Sequence, residues 1–110
     1  MERPVKGDVV VVPFPFSDLS AAKRRPALVL SVLAGSDLIL SEITSRPVKD
    51  SYFVGLSKDD FASGGLQVES YVRLNKIFTA KDSIVLYNAG RVTKGKRDEA
   101  IRKVVEILKQ

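Results

Sequence analysis

Apolar residues in this chain come in short runs separated by turn-forming residues, and the first two runs are the most informative. Four consecutive valines, Val9 to Val12, follow Gly7-Asp8 and lead into Pro13-Phe14-Pro15-Phe16-Ser17-Asp18-Leu19. The apolar pattern resumes at Ala27-Leu28-Val29-Leu30, directly after Lys23-Arg24-Arg25-Pro26. Both runs are β-branched or aliphatic and must be buried. The proline holds the preceding arginine in extended geometry, so Arg25 is expected at the mouth of a strand.

Further runs predict strands over residues 9–14, 27–33, 38–44, 52–56, 66–74 and 84–87, with a short one over 91–93. Ala34-Gly35-Ser36-Asp37 reads as a tight hairpin turn and Ser63-Gly64-Gly65 as a second reversal, because these residue types tolerate the backbone angles that turns need. Ser57 with Asp59 and Asp60 marks a helical turn with a capping serine and acids at its start. Over residues 96–108, Ile101, Val104, Val105 and Leu108 fall at i, i+3, i+4 and i+7, which predicts a helix with one buried stripe lying across the sheet. Arg97, Arg102, Lys103 and Glu106 fall mostly outside that stripe. The expected fold is one mainly β domain over residues 1–110: a bent antiparallel sheet or SH3-like small barrel closed by a C-terminal helix.

The hairpin at Gly35 makes residues 27–33 and 38–44 neighbours. Pairing about that turn brings Arg25 and Pro26 opposite Thr44 and Ser45, so a guanidinium and two hydroxyls are expected at one end of the sheet. Arg46 follows immediately, and Lys23 and Arg24 precede Arg25. Alternation puts Glu42 on the face of Thr44.

Composition narrows the chemistry available to such a site. Among 110 residues there is no cysteine and no histidine. Disulfides and thiolate metal sites are therefore excluded, the commonest neutral-pH base is missing, and no cofactor is implied. Lysine and arginine total 18 against 13 acids, a net charge of +5; with a pI near 9.6, this favours a polyanionic partner. The N-terminus lacks an apolar signal core and no apolar run approaches the roughly 20 residues that span a bilayer, so the expectation is a cytoplasmic protein with no membrane partner.

Gly7-Asp8-Val9-Val10, Arg25-Pro26 with Ala27-Leu28-Val29-Leu30, Glu42-Ile43-Thr44-Ser45, Tyr71-Val72-Arg73-Leu74-Asn75-Lys76-Ile77 and the helical C-terminus resemble, in order and spacing, the MazF/PemK family of toxin ribonucleases. The resemblance implies a homodimer that cleaves single-stranded RNA without metal and is silenced by a cognate acidic antitoxin. It implies catalytic roles for Arg25 and Thr44, and RNA contacts from Phe16, Ser17, Lys23, Arg24, Pro26, Ser45, Arg46, Arg73 and Asn75. Cleavage by attack of the RNA's own 2′-hydroxyl leaves a cyclic phosphate and a 5′-hydroxyl, and needs charge stabilisation rather than a protein nucleophile. Some members carry an acid where this chain has Asn75, which cannot remove a proton. Asp18 and Glu42 are then the candidate proton acceptors, with arginine and threonine managing proton transfer as the competing view. A non-catalytic inhibitor similar to the CcdB type, or a plain RNA-binding module, is the alternative on the same scaffold.

Overall fold

The four valines are buried on both sides because their strand runs through the middle of a sheet. In the computed structural model, which describes residues 2–14 and 23–110, β1 spans Asp8–Phe14, β2 Lys23–Val32, β3 Asp37–Thr44, β4 Phe53–Leu56, β5 Phe61–Gly64, β6 Ser70–Lys81 and β7 Tyr87–Val92. Helix α1 spans Lys94–Lys109. Among the described residues the strands form one curled antiparallel sheet in the order β4-β6-β3-β2-β1-β7-β5.

Successive side chains of a strand point to opposite faces. Accordingly Val9 joins Leu28, Ile43, Val72, Leu74 and Ala100 in the cluster beneath α1. Val10 and Val12 join Ala27, Val29, Leu38 and Leu40 in a second cluster on the other face. Leu28, Leu38, Leu40 and Ile43 are essentially inaccessible, and each such side chain contributes about 1.5–3 kcal/mol by leaving water. Thr93 caps α1 by accepting a hydrogen bond from the Lys96 amide at 3.2 Å.

Two features of β2 and β3 set up the site. Pro26 pairs with Val11 of β1, but pairing with β3 begins only at Ala27, opposite Glu42. Proline has no N–H to give to a second neighbour. Lys23, Arg24 and Arg25 therefore project from a strand end bonded on one side only, to Phe14, Pro13 and Val12. On the far side of β3, the partner of Ser41 is Ile77 while that of Ile43 is Val72. Residues 73–76 bulge out of the β3–β6 ladder at this point, while Arg73, like Tyr71 and Val72 before it, stays paired with β4 on the other side, opposite Phe53.

Several elements differ from the sequence expectation. The strand expected over 66–74 is β6, which starts at Ser70 and continues to Lys81, because its second half pairs with Asp37 to Ser41 beyond the bulge. The strand expected over 84–87 is replaced by a 3-10 turn at Asp82–Ile84; pairing with β1 starts only at Tyr87 and absorbs the short strand expected over 91–93. The capped turn after Ser57 is present at Lys58–Asp60, with the Asp60 carboxylate accepting from the Ser57 amide at 2.8 Å. The reversal expected at Ser63-Gly64-Gly65 instead closes an edge strand, β5, which lies so close to β7 that a Cβ on Gly64 would sit 2.3 Å from the Ala89 carbonyl oxygen. The buried stripe of α1 is also rotated. Ala100 is buried, Val104 and Ile107 pack on the core, and Val105 and Leu108 are exposed, Leu108 by 75%. A small alanine at the contact lets the helix approach the sheet on that side.

No described helix is long and apolar enough to cross a membrane.

Candidate active site

Arg25 stands two residues before Ala27, and Thr44 two residues after Glu42. Ala27 and Glu42 are cross-strand partners. By alternation Arg25, Glu42 and Thr44 therefore share one face at the end of the β2–β3 ladder. Pairing with β3 stops before it reaches Arg25, and the two site residues are joined by no hydrogen bond. Lys23, Arg24 and Arg25 are exposed and make no ion pair with any described residue. A guanidinium at a strand end that makes no hydrogen bond to a described side chain is poised for a polyanion.

Thr44 is half-buried. Its hydroxyl oxygen accepts from the Arg46 amide at 3.2 Å, which leaves the hydroxyl hydrogen free to donate outward. It lines a cavity of about 350 Å³ together with Arg46, Lys49, Asp50 and Arg73. Ser45, just past the end of β3, lines a different cavity of about 210 Å³ with Arg24, Arg25, Pro26 and Gln67. The structure thus separates the adjacent hydroxyls that sequence reasoning grouped together, and Arg25 lines the cavity of Ser45 rather than that of Thr44.

Glu42 is half-buried and makes no ion pair with a described residue, so the simple structural explanation for it, a lysine partner, does not apply. Asn75 is exposed in the β6 bulge and makes no side-chain hydrogen bond to a described residue. Phe16, Ser17 and Asp18 lie outside the described residues. Among the described residues no three carboxylates gather closely enough to hold a metal ion.

Arg73 is the best enclosed of the site's cations. It reaches Asp50 through Nη2 at 3.4 Å, while its buried Nε has no hydrogen-bond partner. Lys49 and Asp50, which sequence reasoning missed, lie in the loop between β3 and β4. Their only signal is a charged pair in a turn-like stretch, and it becomes informative only once the β6 bulge is known. Tyr71, the cross-strand partner of Thr44, packs edge-on against Phe53 with ring centroids 5.5 Å apart.

At the back of the sheet, Asp8 is buried, with Oδ2 accepting from the Val5 amide at 2.9 Å and Oδ1 from Arg91 Nε at 2.8 Å. That hydrogen bond, reinforced by the aspartate's charge, raises the Arg91 guanidinium still further above its ordinary range. This pair locks β1 to β7 and takes no part in the face described above.

The family model for PemK-like, MazF-like toxins of type II toxin–antitoxin systems matches residues 5–108. No individual curated protein matches the chain significantly. Among solved structures, MazF (form I) from Deinococcus radiodurans aligns over 100% of both chains at 23% identity with a TM-score of 0.75. The MazE–MazF complex (form III) from the same organism aligns over 99% of both chains at 22% identity and 0.79. An endoribonuclease from a mycobacterial species aligns over 98% of this chain and 93% of that one, at 19% identity and 0.74. At these identities the likeness establishes the fold.

Proposed function

The chain belongs to the PemK-like, MazF-like toxins of type II toxin–antitoxin systems, a family of endoribonucleases, and from that premise we propose that it cleaves single-stranded RNA by attack of a 2′-hydroxyl on the adjacent phosphorus. The observation that carries the reading is Arg25: exposed, without an ion-pair partner among the described residues, and fixed at the end of β2 across from the end of β3 that carries Thr44 and Ser45. As the 2′-oxygen adds, negative charge grows on the phosphoryl oxygens. The guanidinium fork meets it with paired donors, and the Thr44 hydroxyl, already anchored by the Arg46 amide, adds one more. Glu42, on the same face and without an ion-pair partner among the described residues, takes the 2′-proton. As the P–O2′ bond forms the P–O5′ bond breaks, the departing 5′-oxygen takes a proton from solvent water, and the products are a 2′,3′-cyclic phosphate and a 5′-hydroxyl.

Lys23, Arg24 and Arg46 extend the positive surface, and an acidic antitoxin segment engages it in competition with RNA. Two copies form the working unit. The exposed Val105 and Leu108 of α1 and the open edge at β4 are the two surfaces available to a two-fold contact.

The test is digestion of a long mixed-sequence RNA in chelator, followed by mapping of the ends. Cleavage with cyclic-phosphate and 5′-hydroxyl ends is expected, and a strand with a 2′-deoxy sugar at the cleaved position stays intact. Tight binding with no cleavage would replace this reading with the binding-module alternative.

A further inference from the structure

We infer that Tyr52 is a positioning residue for Thr44: it clamps the far end of the β3–β4 loop, whose near end supplies the amide that orients the Thr44 hydroxyl. The inference rests on the RNA-cleavage reading for the task of Thr44, donation to the phosphoryl oxygens.

The loop between Thr44 and Phe53 has little apolar contact to hold it. Residues 45–47 and 49–51 are exposed, and only Val48 and Tyr52 are half-buried. Burial therefore contributes little, and polar ties set the path of the backbone. At the near end the Arg46 amide donates to Thr44 Oγ1 at 3.2 Å, so the direction left open to the hydroxyl hydrogen depends on where the loop lies. At the far end three bonds converge on Tyr52. Its amide donates to Asp50 Oδ1 at 2.9 Å, its carbonyl accepts from the Leu74 amide at 2.9 Å, and its hydroxyl accepts from Nε2 of Gln110 at 3.0 Å.

These three bonds have different reach. The first closes a turn inside the loop, and the second carries the β4–β6 ladder one step beyond the Phe53–Arg73 pair. The third crosses 58 residues of sequence to the C-cap of α1. That helix is held on the sheet by its own apolar contacts, with Ala100 buried and Val104 and Ile107 packed on the core. It gives the loop a fixed point of attachment outside the sheet. Because the Tyr52–Gln110 bond is exposed, water can replace it, and losing it changes activity a few-fold without abolishing it.

A purely structural bond would leave the turnover of the folded protein intact, whereas a bond that aims Thr44 alters kcat. Both constants are measured on a short RNA containing one mapped cut site. Tyr52→Phe and Gln110→Ala remove the same bond from opposite sides, and each is expected to lower kcat about threefold with KM and the urea midpoint unchanged. The double variant should fall no further than either single one, since only one bond is there to lose. Gln110→Glu should keep the wild-type kcat, because the phenol can donate to a carboxylate instead of accepting. Amide hydrogen exchange at Arg46 should quicken about threefold in Tyr52→Phe and in Gln110→Ala. Losses that multiply in the double variant, an unchanged kcat in either single one, a rise in KM alone, or unchanged exchange at Arg46 would each overturn the clamp. Faster exchange at Arg46 in variants of a protein that leaves RNA intact would uphold the clamp and sink the cleavage reading.

Discussion

Two arginine–aspartate pairs lie on opposite sides of this molecule's chemistry. Arg91 reaches Asp8 at 2.8 Å, and the aspartate is only 2% exposed and accepts a second bond from a backbone amide. Arg73 reaches Asp50 at 3.4 Å, the aspartate is 36% exposed, and one guanidinium nitrogen is left unbonded. In the first pair both carboxylate oxygens are bonded and the aspartate is buried, which locks the β1–β7 seam. The second is half made. Arg25 completes the series with no ion-pair partner among the described residues. The contrast teaches that charge and residue type say little about an arginine's task, whereas the burial of the carboxylate it meets says a good deal.

That gradient is broken most severely at Arg25. Replacing it with alanine should cut the cleavage rate by about 10²–10³-fold, the scale of losing one transition-state charge donor. Arg25→Lys should fall nearly as far, since an ammonium cannot reproduce the planar fork. Because Arg25 is exposed and unpaired, the urea midpoint of both variants should match the wild type. Full activity in Arg25→Ala would remove it from the mechanism.

Glu42 is the carboxylate counterpart, since it stands on Arg25's face without holding a cation. Glu42→Gln should lower kcat about hundredfold, as expected for loss of a general base, with the urea midpoint unchanged. Full activity in Glu42→Gln, with kcat lost in Asp18→Asn, would move the proton acceptor to the first loop.

Asp8→Ala should reverse the pattern of Arg25. Removing the buried carboxylate strips two hydrogen bonds from the β1–β7 seam and should cost about 1–3 kcal/mol of stability, read from the urea midpoint. The folded fraction should cleave RNA at the normal rate. A loss of kcat well below the melting range would mean that the seam reaches the site.

Much of the site was legible in the sequence because it depends on local geometry. Pro26 fixes Arg25 at a strand mouth, Gly35, whose φ is +80°, closes the hairpin, and the distances along β2 and β3 then bring Arg25 and Thr44 to one end. What depends on bulges and third partners was not legible. The β6 bulge takes Arg73 out of pairing with β3 and lets the strand continue past Asn75 and Lys76, where a polar break suggested an end. The partner of Arg73 lies 23 residues away, in a loop with no periodic signal. On α1 both candidate stripes are apolar, and only contact with the sheet chooses Ala100, Val104 and Ile107 over Val105 and Leu108.

Arg3 sharpens the comparison with the smallest expected effect. It is well bonded, donating through Nε to Asp82 at 2.9 Å and through Nη2 to the Leu33 and Asp37 carbonyls at 3.0 and 3.3 Å. By count of bonds it exceeds Arg91, which donates one through Nε to Asp8, and cleavage should be untouched in Arg3→Ala. Yet both ends of its ion pair are substantially exposed, at 37% and 27%. Water can replace each bond, so the stability cost should stay below about 1 kcal/mol, clearly less than for Asp8→Ala. Measuring the two variants side by side separates commitment of donors from burial of the acceptor. An Arg3→Ala loss equal to that of Asp8→Ala would mean that bond count alone sets an arginine's structural weight, while a small loss leaves burial of the carboxylate as what makes the Asp8 pair a lock.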